Sequence, residues 1–106
     1  MFLAYEGNDA LGSTYGLREQ GQREVGRVGG MWVEPAWRRR GVGRALLQQV
    51  CNWARERGLS RLQLWAPAHH LAALSLYGQA GFGETGKRQP LPTNPTLQIV
   101  EMEISV

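Results

Sequence analysis

One cysteine, one lysine and two histidines are all that this 106-residue chain offers of three chemically versatile residue types. The lone Cys51 excludes an internal disulfide and leaves no thiolate cluster for zinc. His69 and His70 are adjacent, without a carboxylate or thiol at ligand spacing, so no metal is expected. No apolar run approaches the roughly 20 residues needed to span a bilayer. The opening Met1-Phe2-Leu3-Ala4-Tyr5-Glu6 has no basic segment ahead of an apolar stretch. The expectation is a cytoplasmic protein with no membrane partner.

What remains is the composition of an ordinary folded domain, 42% hydrophobic and 20% charged. The length suits a single domain over residues 1–106, with a core of modest size. Net charge is +3 and the pI is near 9.6. The positive charge is almost entirely arginine, Lys87 being the one lysine. Arginine presents a planar fork of donors suited to phosphate, so placement matters more than total. Arg38, Arg39, Arg40 and Arg44 fall within seven positions.

Apolar spacing predicts strands over residues 2–6 and about 10–17, separated by Gly7-Asn8-Asp9 at hairpin spacing. A polar connection from Arg18 to Glu24 follows, then a third strand, Val25 to Val33, ended by Pro35. Gly29-Gly30 inside that strand marks a bulge or a close approach of another group. From Gly41 the period becomes helical: Val42, Leu46, Val50 and Trp53, with Ala45 and Ala54 beside them, form one stripe through about Arg57, and Gly58 suits the exit. Arg61 to Ala66 alternates as a strand ended by Pro67. His70 to Ala80 reads as a second helix with Leu71, Leu74, Tyr77 and Ala73 inward. Phe82 to Thr85 reads as a short strand, followed by a loop carrying Pro90, Pro92 and Pro95. The last strand alternates as Leu97, Ile99 and then Val100, Met102, Ile104, a phase slip expected to be a bulge.

The most informative segment is Arg38-Arg39-Arg40-Gly41-Val42-Gly43-Arg44, between a strand and the first turn of an amphipathic helix. A helix start leaves N–H groups unbonded and carries partial positive charge, so glycines there let a diphosphate approach the backbone while arginines add full charge. A Walker loop would need a lysine, which is absent here. A dinucleotide fingerprint fails because the sixth position counted from Gly41 is Leu46. The literal Gly-x-Gly-x-x-Gly at Gly81 to Gly86 follows a helix and is a chance match.

This segment resembles the signature of the GNAT superfamily of N-acetyltransferases, Gln/Arg-x-x-Gly-x-Gly/Ala, met by Arg38, Gly41 and Gly43 after the lead-in Met31-Trp32-Val33-Glu34-Pro35. A second family motif, Asn-x-x-Ala-x-x-x-Tyr-x-x-x-Gly-Phe, is matched by Ala73, Tyr77, Gly81 and Phe82, with His70 in the place of asparagine. The resemblance implies an α+β fold, a mixed, mostly antiparallel central sheet with two main helices, shortened at its amino terminus. It also implies that the strands flanking the first helix splay into a V that holds acetyl-CoA. Met31, Trp32 and Val33 would run beside the pantetheine arm. Arg38, Arg39, Arg40, Gly41, Val42, Gly43 and Arg44 would hold the diphosphate, and His70 would touch the cofactor. Tyr77 would protonate the departing thiolate, consistent with an ordinary tyrosine pKa near 10. Strand N–H groups would stabilise the oxyanion.

Two departures qualify the resemblance. Many members carry a glutamate base near the position of Arg27, which cannot act so; Glu24 and Glu34 are substitutes only by proximity. Glu6, Glu19, Glu24 and Glu34 are the carboxylates that could attract a cationic amine. The family usually begins with a further strand and one or two helices, so the exposed sheet face and edge are expected to be covered by a partner, as a homodimer. Three functions compete: transfer of an acetyl group to a primary amine of a small molecule, peptide or protein; a non-catalytic acyl-CoA-binding module; and a nucleic-acid binder suggested only by the basic pI. The expectation is the first, with no nucleic-acid partner. The tryptophans Trp32, Trp37, Trp53 and Trp65 are accounted for by core and cleft packing.

Overall fold

The computed structural model describes residues 2–6, 9–18, 24–38 and 40–106. Its order is β1 (Phe2–Glu6), β2 (Asp9–Arg18), β3 (Val25–Val33), a 3-10 turn (Pro35–Trp37), α1 (Val42–Glu56), β4 (Arg61–Pro67), α2 (Leu71–Gln79), β5 (Gly83–Leu91) and β6 (Asn94–Ser105). Gly7, Asn8 and most of the connection after Arg18 lie outside the described residues. Six strands form one sheet in the order β1-β2-β3-β4-β6-β5. Only β3 and β4 are parallel, joined through α1 as a parallel pair requires.

Alternation of side chains decides the faces. Leu62, Leu64 and Ala66 of β4 and Val100 and Met102 of β6 join Leu47, Val50, Cys51 and Ala54 of α1 in one buried cluster. Gly12 and Gly16 of β2 lie directly beneath α1, where a Cβ would meet Val42 and Leu46, or Trp53 and Val50. Helix α2 lies on the same face. A Cβ on Gly43 of α1 would sit 2.9 Å from Leu76 Cδ2, and Tyr77 belongs to the same core cluster. Among the described residues both helices therefore cover one face and neither covers the other.

Two features open the middle of the sheet. Opposite Ser13 and Tyr15, β3 carries one extra residue: Ser13 pairs with Trp32 and Tyr15 with Gly29. The excess is absorbed at Gly29-Gly30, where Gly30 has φ +61°, which only glycine adopts without strain. This is the bulge that the glycine pair predicts. Pairing between β3 and β4 then ends after Val25↔Arg61, Gly26↔Leu62 and Arg27↔Gln63, whereas β4 stays paired with β6 along its whole length. From Val28 onward β3 has no β4 partner.

Four expectations are corrected. The last strand carries no bulge at Ile99-Val100, because its register against β4 is unbroken from Pro67↔Ile99 to Arg61↔Ser105. The phase slip arises because both faces are buried there; the register irregularities lie between β5 and β6, at Glu84–Arg88 and at Pro90–Leu91. The proline-bearing loop is mostly strand: β5 extends through Pro90 to Leu91 and β6 begins at Asn94-Pro95. An edge strand accommodates proline because one side of its backbone needs no donor. Phe82 precedes β5 and is buried against Tyr77. Leu71, expected inward, is 74% exposed at the first turn of α2.

Candidate active site

The arginine loop sits at the end of β3, beside the gap between β3 and β4. Gly41 caps α1 with φ +84°, and nothing lies within 4 Å of where its Cβ would be. The first helical bond runs from Ala45 N–H to Gly41 O at 2.9 Å, so the N–H groups of Val42, Gly43 and Arg44 precede the intrahelical ladder. Gly41, at the N-cap, offers them no side-chain cap. The two signature glycines thus have different causes: Gly41 supplies a left-handed turn in open space, and Gly43 makes room for Leu76. The missing Cβ of Gly43 therefore also serves the packing of α1 against α2.

The arginines do not act alike. Arg38 turns back, its Nε donating to Val33 O at 3.3 Å, and so ties the loop to the end of β3. Arg40 lies over Trp37, its Cζ 5.0 Å from the ring centroid, a cation–π contact. Arg44 is exposed on the first turn of α1 and borders a crevice of about 80 Å³ with Leu47, Gln48, Cys51, Gln79 and Ala80. Arg39 lies outside the described residues. A larger hollow of about 360 Å³ lies between β1 and α1, lined by Phe2, Leu3, Ala4, Ala45, Leu46 and Gln49, away from the gap.

Met31 and Val33 pack toward α1, while Trp32 between them points to the opposite face and is 42% exposed. Their backbone edge toward β4 is left without a strand. Tyr77 is 9% exposed, in one cluster with Val28 of β3 and Leu64 and Ala66 of β4, the strands that diverge. Its ring meets Phe82 edge-on at 6.0 Å. Burial pushes the Tyr77 phenol up, so it keeps its proton through neutral pH and can donate it. His70 caps α2 without a side-chain hydrogen bond, its own N–H donating to Pro67 O. Burial also pushes the Cys51 thiol up against a weaker opposite pull from Arg55, which makes it a packing residue.

Sequence reasoning did not find the ion pair at the apex of the gap. Glu101 of β6 is 2% exposed and accepts from Arg27 Nη2 at 3.4 Å and Thr85 Oγ1 at 2.9 Å. Arg27 stands on β3 at the last pair before the strands part, and reaches across β4. The only signal in the sequence was a glutamate within an apolar alternation. Of the substitutes named for a base, Glu24 lies at the paired end of β3, bonded to Ser60, and Glu34 at the far end beside the 3-10 turn. The side chains of Glu6 and Glu19 lie outside the described residues.

A mixed sheet whose two central parallel strands part beside a glycine-capped helix is the arrangement of the acyl-CoA N-acyltransferase fold. The solved structures agree. A Streptococcus pneumoniae acetyltransferase of the GNAT family superposes with TM-score 0.85 at 24% identity, over 98% of this chain and 64% of that one. A Salmonella typhimurium protein solved with its cofactor acetyl-CoA gives TM-score 0.83 at 20% identity, over 97% of this chain and 62% of that one.

Residues 1–82 match the Acetyltransferase (GNAT) family, and the chain belongs to it. Among curated relatives, the Escherichia coli ribosomal protein bS18-alanine N-acetyltransferase is 40% identical over 62 residues, 58% of this chain and 42% of that protein. An uncharacterized N-acetyltransferase of Methanocaldococcus jannaschii is 33% identical over 63 residues, 59% of this chain and 28% of that protein. The chain thus spans less than half the length of these two relatives.

Proposed function

We propose that this chain is an acetyl-CoA-dependent N-acetyltransferase that passes an acetyl group directly to a primary amine of a small molecule or a peptide. The observation that carries it is the parting of β3 and β4 immediately beside the Gly41-capped start of α1, with Tyr77 in the core between them. The residues fit the cofactor. The N–H groups of Val42, Gly43 and Arg44, with Arg40 and Arg44 on the same loop and first turn, suit a diphosphate. Arg38 acts on the loop itself. The free edge of Met31, Trp32 and Val33 suits the amide-bearing pantetheine arm, and His70 stands at the start of α2.

The cofactor supplies an activated acetyl thioester. The chain's own part is to hold it in the gap, to present β3 N–H groups toward the carbonyl, and to keep a proton on Tyr77 Oη for the leaving sulfur. Preorganised donors of this kind contribute on the order of 3 kcal/mol. The open edge of the sheet at β1 supports a homodimer as the working assembly, which light scattering after size exclusion reads directly; a monomer at micromolar concentration refutes it.

Acetyl-CoA at 100 times its dissociation constant should stabilise the fold by about 2.7 kcal/mol, read as a rise in Tm. Arg40→Glu with Arg44→Glu should remove most of that rise and leave the unliganded Tm unchanged. A full rise in the double variant would refute the placement of the diphosphate. Thiol release over an amine panel separates transfer from mere binding. A second reading, a non-catalytic acyl-CoA-binding module, is favoured by one observation: Glu101, a buried carboxylate at the apex of the gap, already accepts from Arg27 and Thr85.

A further inference from the structure

The acceptor must meet the thioester from the face that the helices leave open, because on the other side α1 and α2 close on each other at Gly43 and Leu76. That face is built unevenly. Tyr15 of β2 lies flat on the bulge: a Cβ on Gly29 would sit 2.5 Å from its Oη, and one on Gly30 2.7 Å from its Cε1. The glycine pair therefore serves two ends, bending β3 and seating an aromatic ring against the strand at the gap. Trp32 stands beside it, since Ser13 and Tyr15 on β2 pair with Trp32 and Gly29. Tyr15 is 40% exposed, much like Trp32. Across the gap on β4, Trp65 shares this face with Gln63 and pairs with Glu101.

The charges on the same face are spoken for. Glu101 accepts from Arg27, and Glu103 accepts from Arg61 at 3.3 Å and Gln63 at 3.0 Å. A polycationic acceptor needs unneutralised carboxylates, and among the described residues the gap presents aromatic surface in their place. From this we infer that Tyr15 and Trp32 are specificity-determining residues of an acceptor site on the helix-free face, selecting a primary amine carried on a single aromatic or apolar body. This rests on the acyl-transfer reading above and names its substrate class.

The test is steady-state thiol release at saturating acetyl-CoA with 2-phenylethylamine, ethylamine and spermidine. The KM for 2-phenylethylamine should be at least about tenfold below that of the other two. Tyr15→Ala and Trp32→Ala should each raise it about fivefold to tenfold, the size of a lost aromatic contact. Tyr15→Ala should keep the KM for acetyl-CoA and for ethylamine. Gly29→Ala, which lifts the Tyr15 ring, should raise the same KM and add nothing in the Tyr15→Ala background. Trp32→Phe gives a second readout, a reduced tryptophan quench when 2-phenylethylamine is titrated into protein held with coenzyme A. Equal KM values for the three amines, preference for spermidine, or unaltered KM in both alanine variants would overturn the inference. So would acetyl-CoA binding with no thiol release from any amine. An absent acetyl-CoA thermal shift would instead overturn the acyl-transfer reading on which it rests.

Discussion

Replacing Gly43 by alanine separates helix packing from cofactor contact at the signature. The new Cβ would lie 2.9 Å from Leu76 Cδ2, with Leu76 Cδ1 and Val33 Cγ2 at an ordinary 3.7 Å. One methyl at the end of a flexible side chain must move, so the overpacking cost falls at the low end of its range, about 1–2 kcal/mol. Alanine is also the better helix former, worth roughly 0.5 kcal/mol in a first turn. The net expectation is a loss of about 1 kcal/mol, or about 4–8 °C in Tm for a domain of this size. In a Leu76→Ala background the clash is gone and the propensity gain remains, so the same substitution should stabilise by about 0.5 kcal/mol. Gly41→Ala provides the contrast. It meets nothing within 4 Å but holds φ +84°, so it should cost about 1 kcal/mol whatever stands at position 76. Urea denaturation followed by circular dichroism measures all of these. Additivity of Gly43→Ala and Leu76→Ala within about 0.3 kcal/mol would refute the argument that α2 dictates a small residue at position 43.

Tyr77→Phe retains the ring against Phe82 and removes the donor. It should lower turnover about 100-fold while leaving the acetyl-CoA thermal shift intact, and unchanged turnover would remove Tyr77 from the acid role. Because burial raises the Tyr77 pKa in the folded state, the phenol's contribution to stability is fully present below the unfolded value near 10. It is lost as pH rises through the folded value, so the variant should flatten the alkaline arm of the stability profile. Glu101→Gln should cost about 2 kcal/mol in urea melts, since Glu101 is almost fully buried and Arg27 is left with a weaker partner. A loss below about 0.5 kcal/mol would mean the pair contributes little to closing the apex.

The legible parts of the chain were those set by neighbours in sequence. The stripe from Val42 to Ala54 repeats within a few turns, and the structure contains α1 over Val42–Glu56. Gly29-Gly30 marked the bulge because a residue there must take a positive φ. The proline segment misled because the rule that prolines break strands holds for paired strands, and β5 is an edge. The slip at Ile99-Val100 misled for a related reason: one residue faces the helices and the next faces Arg27's side of the sheet, and both are buried.

By itself the sequence determined the order of elements, the glycine-capped entry to α1 and the arginines around it, because helix starts, turns and bulges are governed by backbone preferences a few residues long. Only the tertiary structure decided that Gly43 yields to Leu76, that Tyr15 lies on Gly29-Gly30, and that Arg27 meets Glu101 from 74 positions away. These contacts depend on strand register and on which face each side chain takes. Cross-strand register is fixed by packing among segments distant in sequence, and no local pattern encodes it.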